Sequence, residues 1–237
     1  MISCTEISRN YPSLWKQLFP FINRLARKCN LQKISFNDYL HSQTSPARRA
    51  LVNELSFRLF KEIINCGYSS IPKIPAQRVE EIKNETYRYI QKLNKKAEPD
   101  EYVSDTELNE AKELAGITFI YFKTYEPGRK PIISPTFFGC GAISECQGDV
   151  LIGNTLYEIK AGDRDFRVSD LKQVLIYCAL DFSHKNSKIK NIGLLNPRLG
   201  IYVILSLTDA VEIASGQNTV DCFTELVNIF TTPDDYI

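Results

Sequence analysis

The stretch Asp149-Val-Leu-Ile-Gly-Asn-Thr-Leu-Tyr-Glu-Ile-Lys160 constrains this chain more than any other. Gly153-Asn154 is a two-residue hairpin turn between runs of strand-forming residues. A turn there fixes the register, with Ile152 facing Thr155, Leu151 facing Leu156, Val150 facing Tyr157 and Asp149 facing Glu158. Opposed residues share one face of a sheet with Cβ atoms about 4.5–5.5 Å apart. Lys160, two residues beyond Glu158, points to that face as well. Two carboxylates and an ammonium therefore converge on one patch. Opposed like charges destabilise a sheet, and a divalent cation between the carboxylates would relieve that repulsion.

A chain of 237 residues holds one large domain or two small ones, and 43% hydrophobic against 24% charged residues suffices for a packed core. No apolar run approaches the roughly 20 residues that span a bilayer. The first residues lack the basic-then-apolar pattern of a signal peptide, so a cytoplasmic protein is expected. Seven cysteines without a C-x-x-C pair argue against a disulfide framework or a zinc finger and for reduced thiols. The formal charge of +1 hides a split. Residues 1–97 hold 17 Lys+Arg against 7 Asp+Glu, and residues 98–237 hold 12 against 21. Such asymmetry predicts a basic helical domain over 1–97, gripping nucleic acid or a partner, joined to an acidic domain over 104–237.

The first half reads as helical. Trp15, Leu18, Phe19, Ile22, Leu25 and Cys29 recur at helical spacing, and Pro20 should kink or divide that helix. A second helix is expected with Ser45 as N-cap, Pro46 in its first turn, Leu51, Leu55, Leu59 and Ile63 inward, and Gly67 as its stop. A third, over roughly 76–96, carries Val79, Ile82, Tyr89 and Leu93 as its apolar stripe and ends in Lys95-Lys96. The acidic segment 98–105 marks the boundary, and Ser104 with Glu107 forms a capping box. The helix it opens has an ambiguous end, because residues 117–122 also suit a strand. Strands are expected over 136–144, 148–152 and 155–161, a helix over 168–181, strands over 190–195 and 201–206, and a last helix near 218–231. That order implies an α/β core with a mixed sheet.

Cleaving a phosphodiester at neutral pH needs an activated water and relief of developing negative charge, which carboxylates holding Mg²⁺ supply. Mg²⁺ takes oxygen ligands and keeps several waters, so one or two carboxylates suffice. Asp149 and Glu158 are the expected ligands, with the Ile159 backbone carbonyl as a third, while Lys160 would orient water or stabilise charge.

An acid followed, across a hairpin, by Glu158-Ile-Lys160 resembles the PD-(D/E)XK nuclease superfamily, although Gly148 stands where that family has a proline. Gln173-Val-Leu-Ile-Tyr177 is similar to the Gln-x-x-x-Tyr motif of the RecB-like branch, and one helical turn lets both polar groups reach one groove. The resemblance covers about residues 104–206. It implies a restriction-endonuclease-like core, a mixed central sheet flanked by helices, here with an N-terminal all-α domain. It also implies a glutamate from the preceding helix, for which Glu107, Glu110 and Glu113 qualify and Glu110 is chosen as catalytic and metal-binding. Mg²⁺, replaceable by Mn²⁺, is the implied cofactor; no iron–sulfur cluster is expected, since only Cys178 and Cys222 follow Lys160. Arg164, Arg167, Lys172 and Arg198 flank the motifs as candidate phosphate contacts. His41 and His184 are given no role.

The leading expectation is a metal-dependent deoxyribonuclease, with RNA still open as substrate, in restriction, anti-phage defence or mobile-element biology. Its binding would be strongly salt-dependent. Two alternatives stand beside it. One is a catalytically silent nuclease fold that binds nucleic acid or protein. The other is a nuclease subunit active only with a partner NTPase, since the chain lacks a Gly-x-x-x-x-Gly-Lys-Ser/Thr loop of its own. Endo or exo action, sequence preference and self-assembly stay open at this point.

Overall fold

The computed structural model describes residues 1–93, 102–184 and 188–232. In chain order its elements are helices α1 (Cys4–Asn10), α2 (Pro12–Leu18) and α3 (Ile22–Gln32), strand β1 (Ile34–Ser35), and helices α4 (Arg49–Cys66), α5 (Ala76–Leu93) and α6 (Asp105–Tyr125). Strands β2 (Ile132–Ile133), β3 (Thr136–Phe137), β4 (Cys146–Gln147), β5 (Val150–Ile152) and β6 (Thr155–Ile159) follow, then α7 (Val168–Ser183). The order closes with β7 (Asn191–Asn196), β8 (Ile201–Ser206), α8 (Leu207–Ser215) and α9 (Thr219–Thr231).

Local chemistry accounts for most of these boundaries. Pro20 separates α2 from α3, and Trp15, Leu18, Phe19, Ile22, Leu25 and Cys29 are all buried. Gly67 ends α4 in the left-handed conformation at φ 70°. Ser104 and Glu107 close a full capping box on α6, whose residues 117–122 are helical, not strand. Pro46 starts a short 3-10 turn over Pro46–Arg48 before α4, and Ser45 makes no side-chain cap to it. Tyr89 departs from the expected stripe of α5: Val79 and Ile82 are buried, but Tyr89 is 42% exposed. Lys95 and Lys96 lie outside the described residues.

Among the described residues, six strands form a mixed sheet in the order β1-β8-β7-β6-β5-β2. Only β6 and β7 run parallel, joined by the crossover through α7. The strand expected over 136–144 does not form as one piece. Thr136–Phe137 pairs instead with Cys146–Gln147 in a separate two-stranded ribbon. Gly139 and Gly141 lie pressed against backbone where a Cβ would collide, so the chain turns there. The sheet's own edge is Ile132–Ile133 against Val150 and Leu151.

Alternation along the strands sends side chains to two cores. Leu156, Ile192, Leu194 and Val203 meet α1–α3 and α7–α9 on one face. Val150, Ile152, Tyr157 and Leu195 meet α4–α6 on the other. The result is three layers, helices on both sides of a sheet. The charge divide near residue 98 is not a packing divide. Ile34 and Ser35 pair with Tyr202 and Ile201 of β8, and residues before 98 contribute to both cores. Burial of apolar surface, at about 25 cal/mol per Å², thus ties the basic half to the acidic half. No helix among the described residues is long and apolar enough to cross a membrane.

Candidate active site

The hairpin has the register its turn dictates: Val150 faces Tyr157, Leu151 faces Leu156 and Ile152 faces Thr155. Gly153 takes φ 58°, and Asn154 is not left-handed, which is the turn with glycine at its first central position. One step before β5, Asp149 comes opposite Glu158. Its Oδ2 accepts a 2.7 Å hydrogen bond from the Ile159 N–H, which ties the two chain ends together.

On that face, Lys160 Nζ donates to Glu158 Oε1 at 2.5 Å and to Gln173 Oε1 at 3.2 Å. Gln173 Nε2 donates in turn to the Tyr177 hydroxyl at 2.6 Å. Tyr177 is buried and stacks on Phe137, centroid to centroid 5.4 Å. The helical spacing of Gln173 and Tyr177 therefore does place both groups in one line leading to Lys160. Four side chains, Glu158 of β6, Lys160 just beyond it, and Gln173 and Tyr177 of α7, form a continuous chain of donors and acceptors ending on Glu158.

Glu158 is buried, and its Oε2 has no hydrogen-bond partner. Such an atom is costly unless something compensates it. Burial, followed by the neighbouring Asp149 charge, pushes the Glu158 pKa up to about 8. Burial also raises Asp149, against the pull of Lys160 and the Ile159 N–H, and Glu54 adds to the rise. Burial alone would lower Lys160, yet Glu158 and Asp149 outweigh it and hold the ammonium protonated above its ordinary range. The face thus holds two carboxyls reluctant to ionise and one lysine that keeps its proton.

These residues fit a divalent cation. An unpartnered carboxylate oxygen beside a second carboxylate is what a cation satisfies, and Ile159 lines the same cleft as Asp149 and Lys160. Among the described residues no cluster of three or more His, Cys, Asp or Glu side chains is shaped to hold a metal ion, and a cation here would draw on the two carboxylates with the Ile159 carbonyl.

Glu110 lies elsewhere. Its carboxylate accepts from the Ser42 hydroxyl at 3.0 Å and the Gln43 N–H at 2.9 Å, and pairs with Arg198 at 2.7 Å. Burial would raise its pKa, but the Gln43 N–H and Arg198 bring it below the usual range. Glu107 is committed to Arg48 and the capping box, and Glu113 is exposed. Arg198 is no surface cation: its side chain is fully buried, donating to the Ala161 carbonyl and facing Glu110 and Asp163. A polyanion outside the protein cannot reach it. Arg164 is clamped on Asp170 at 2.7 and 2.9 Å, and Lys172 packs its ammonium over the Trp15 ring at 4.9 Å. Arg167 is exposed at the start of α7.

Two adjoining clefts, of about 550 and 600 Å³, share Glu54, Phe57, Tyr89 and Asp149. Their wall is α4 and α5, from the basic half. Glu54 is the residue the sequence did not single out: it faces Asp149 across the cleft and is bonded to Arg58 at 2.7 Å. The pair Glu54-x-x-x-Arg58, lying off the Leu51, Leu55, Leu59 stripe, was the signal for a polar face on that helix.

Compared with known proteins, the chain matches no protein-family model and no curated protein.

Proposed function

We propose that this chain is a metal-dependent nuclease of the PD-(D/E)XK type that hydrolyses phosphodiester bonds in nucleic acid, DNA foremost. The observation carrying this reading is the unpartnered, buried Oε2 of Glu158, held beside Asp149 and on the same face as Lys160. Asp149, Glu158 and the Ile159 carbonyl would hold Mg²⁺, with Mn²⁺ as a substitute. When bound, the metal supplies a water of lowered pKa and a clamp on phosphate oxygens.

The chain's own residues then have separable tasks. Glu158 and Asp149 would present carboxylate oxygens to the metal, whose charge would offset the burial that disfavours their ionised forms. Lys160, held protonated, places a positive charge where negative charge develops on the phosphate. Gln173 positions the Lys160 ammonium through its carbonyl oxygen, and Tyr177 fixes the Gln173 amide. Placement in restriction, anti-phage defence or mobile-element biology rests on the family resemblance alone.

The test is cleavage of linear, circular and single-stranded DNA and of RNA with Mg²⁺ or Mn²⁺, by wild type, Glu158→Ala and Lys160→Ala. Wild type should cut at least one of these, and each variant should lose about 10²-fold or more. Equal cleavage by wild type and variants would sink the assignment. Absence of cleavage by any form would favour the silent binding fold or the partner-dependent subunit.

A further inference from the structure

The cleft system carries more than the hairpin. Helix α4 is strapped over it at two points: Arg49 to Asp163 at 2.6 Å and Lys61 to Ser134 at 3.2 Å. Twelve residues of helix separate the straps, about 18 Å at 1.5 Å per residue. Each adjoining cleft, about 550 and 600 Å³, has the size of a ligand pocket.

Both arginines that line the first cleft are already engaged, while Lys61 beside them is bonded to a hydroxyl, that of Ser134. Arg58 is bonded to Glu54, and Arg78 to Glu62, Glu81 and Glu85. Arg58 and Arg78 must each give up a carboxylate to take a phosphate, so these two add little net attraction and Lys61 and Arg9 are left as the cleft's phosphate contacts. The aromatic groups are differently disposed. Tyr89 is 42% exposed, lines both clefts, and has the Arg58 guanidinium 4.9 Å from its ring centroid on one face. Phe57 lines the same junction. A ring backed by an arginine and open to a polar cleft is a stacking surface for a nucleobase.

We propose that the site takes single-stranded nucleic acid, laid along the cleft between α4 and α5, with Tyr89 stacking a base next to the scissile position. The inference rests on the nuclease reading for that position, and it reverses the expectation of strongly salt-dependent binding. A strand gripped by stacking has a shallow salt dependence, to which Lys61 and Arg9 contribute.

The test is fluorescence anisotropy with labelled oligo(dT) and with a blunt hairpin duplex, Ca²⁺ replacing Mg²⁺, on wild type, Tyr89→Ala and Tyr89→Phe. Oligo(dT) should bind at least tenfold tighter than the duplex, with a log–log salt slope of about −2 or shallower. Tyr89→Ala should lose about 5- to 150-fold in oligo(dT) affinity, and Tyr89→Phe should keep it. Duplex bound as tightly as oligo(dT), no binding of oligo(dT), or Tyr89→Ala equal to wild type overturns the proposal. Cleavage is scored separately. Oligo(dT) bound through Tyr89 by a protein that cuts nothing supports the platform and overturns the reading of a nuclease active by itself instead.

Discussion

Replacing Glu158 by glutamine should make the metal-free protein more stable at pH 8, although it removes a buried ion pair. The carboxyl is raised in the fold from 4.5 to about 8 by burial and by Asp149. Between those pH values the folded chain therefore binds more protons than the unfolded chain. The stability tied to this group is fully present below pH 4.5 and is lost as pH rises through 8. At 1.36 kcal/mol per pKa unit the loss is on the order of 5 kcal/mol. Glutamine keeps the shape and carries no charge, so it escapes that loss. Its amide oxygen can still accept from Lys160, and the pull of Lys160 on the carboxylate is already contained in the folded value. The net gain is about 3–5 kcal/mol at pH 8, on the order of 1–2 M in urea midpoint, shrinking toward zero near pH 4.5. Urea titrations in EDTA at several pH values read this directly. Wild type should regain stability when Mg²⁺ is added, and Glu158→Gln should not. A glutamine variant less stable than wild type at pH 8, or a difference that does not change with pH, would refute the account of Glu158 as a strained, proton-holding carboxyl.

Three further outcomes follow from the same geometry. Arg198→Met should cost about 3–5 kcal/mol by leaving the buried Glu110 charge without a counter-ion, held by Ser42 and Gln43 only, and adding Glu110→Leu should recover much of it; urea midpoints of the single and double variants decide this, and an unchanged single variant would refute the buried pair. Gly193→Ala places a Cβ 2.4 Å from the Tyr157 ring, which is hemmed in by Tyr121 and Phe122, so a loss of about 1–3 kcal/mol is expected by calorimetry. Gln173→Leu should lower metal-dependent cleavage and shift its pH profile while leaving oligo(dT) affinity within twofold, since Gln173 orders Lys160 and does not line the cleft wall.

Much of the fold was legible because local rules decided it. Helical spacing from Trp15 to Cys29, the Ser104–Glu107 box and the Gly153 turn each act within a few residues, and each has the form expected. The hairpin register then carried the core of the site for free, because a period of two leaves no choice of face. What escaped depends on neighbours distant in sequence. Arg198 reads as an exposed turn arginine until Glu110 and Asp163 surround it. Tyr89 fits an apolar stripe, but α5 turns it toward the cleft, not the core. Glu54 faces Asp149 only because α4 packs above the hairpin. Helix α8 went unread because Ser206 both ends β8 and caps the helix, accepting from the Asp209 N–H with no intervening loop. The glycines at 139 and 141 broke an otherwise strand-like run by demands of packing against Ile143 and Phe230.

The shared cores also set a timetable for synthesis. Helices α1–α3 bury Trp15, Phe19 and Leu25 against partners that include α8 and α9, and β1 finds its only strand partner among the described residues in β8. Residues 4–32 therefore leave the ribosome some 200 residues before the last surface that covers them. At 5–20 residues per second that is about 10–40 s during which an amphipathic, basic helical segment waits uncovered. A nascent chain of this architecture is exposed to trigger-type chaperones and to polyanions for that whole interval, and it completes its first core only when its last helix is made.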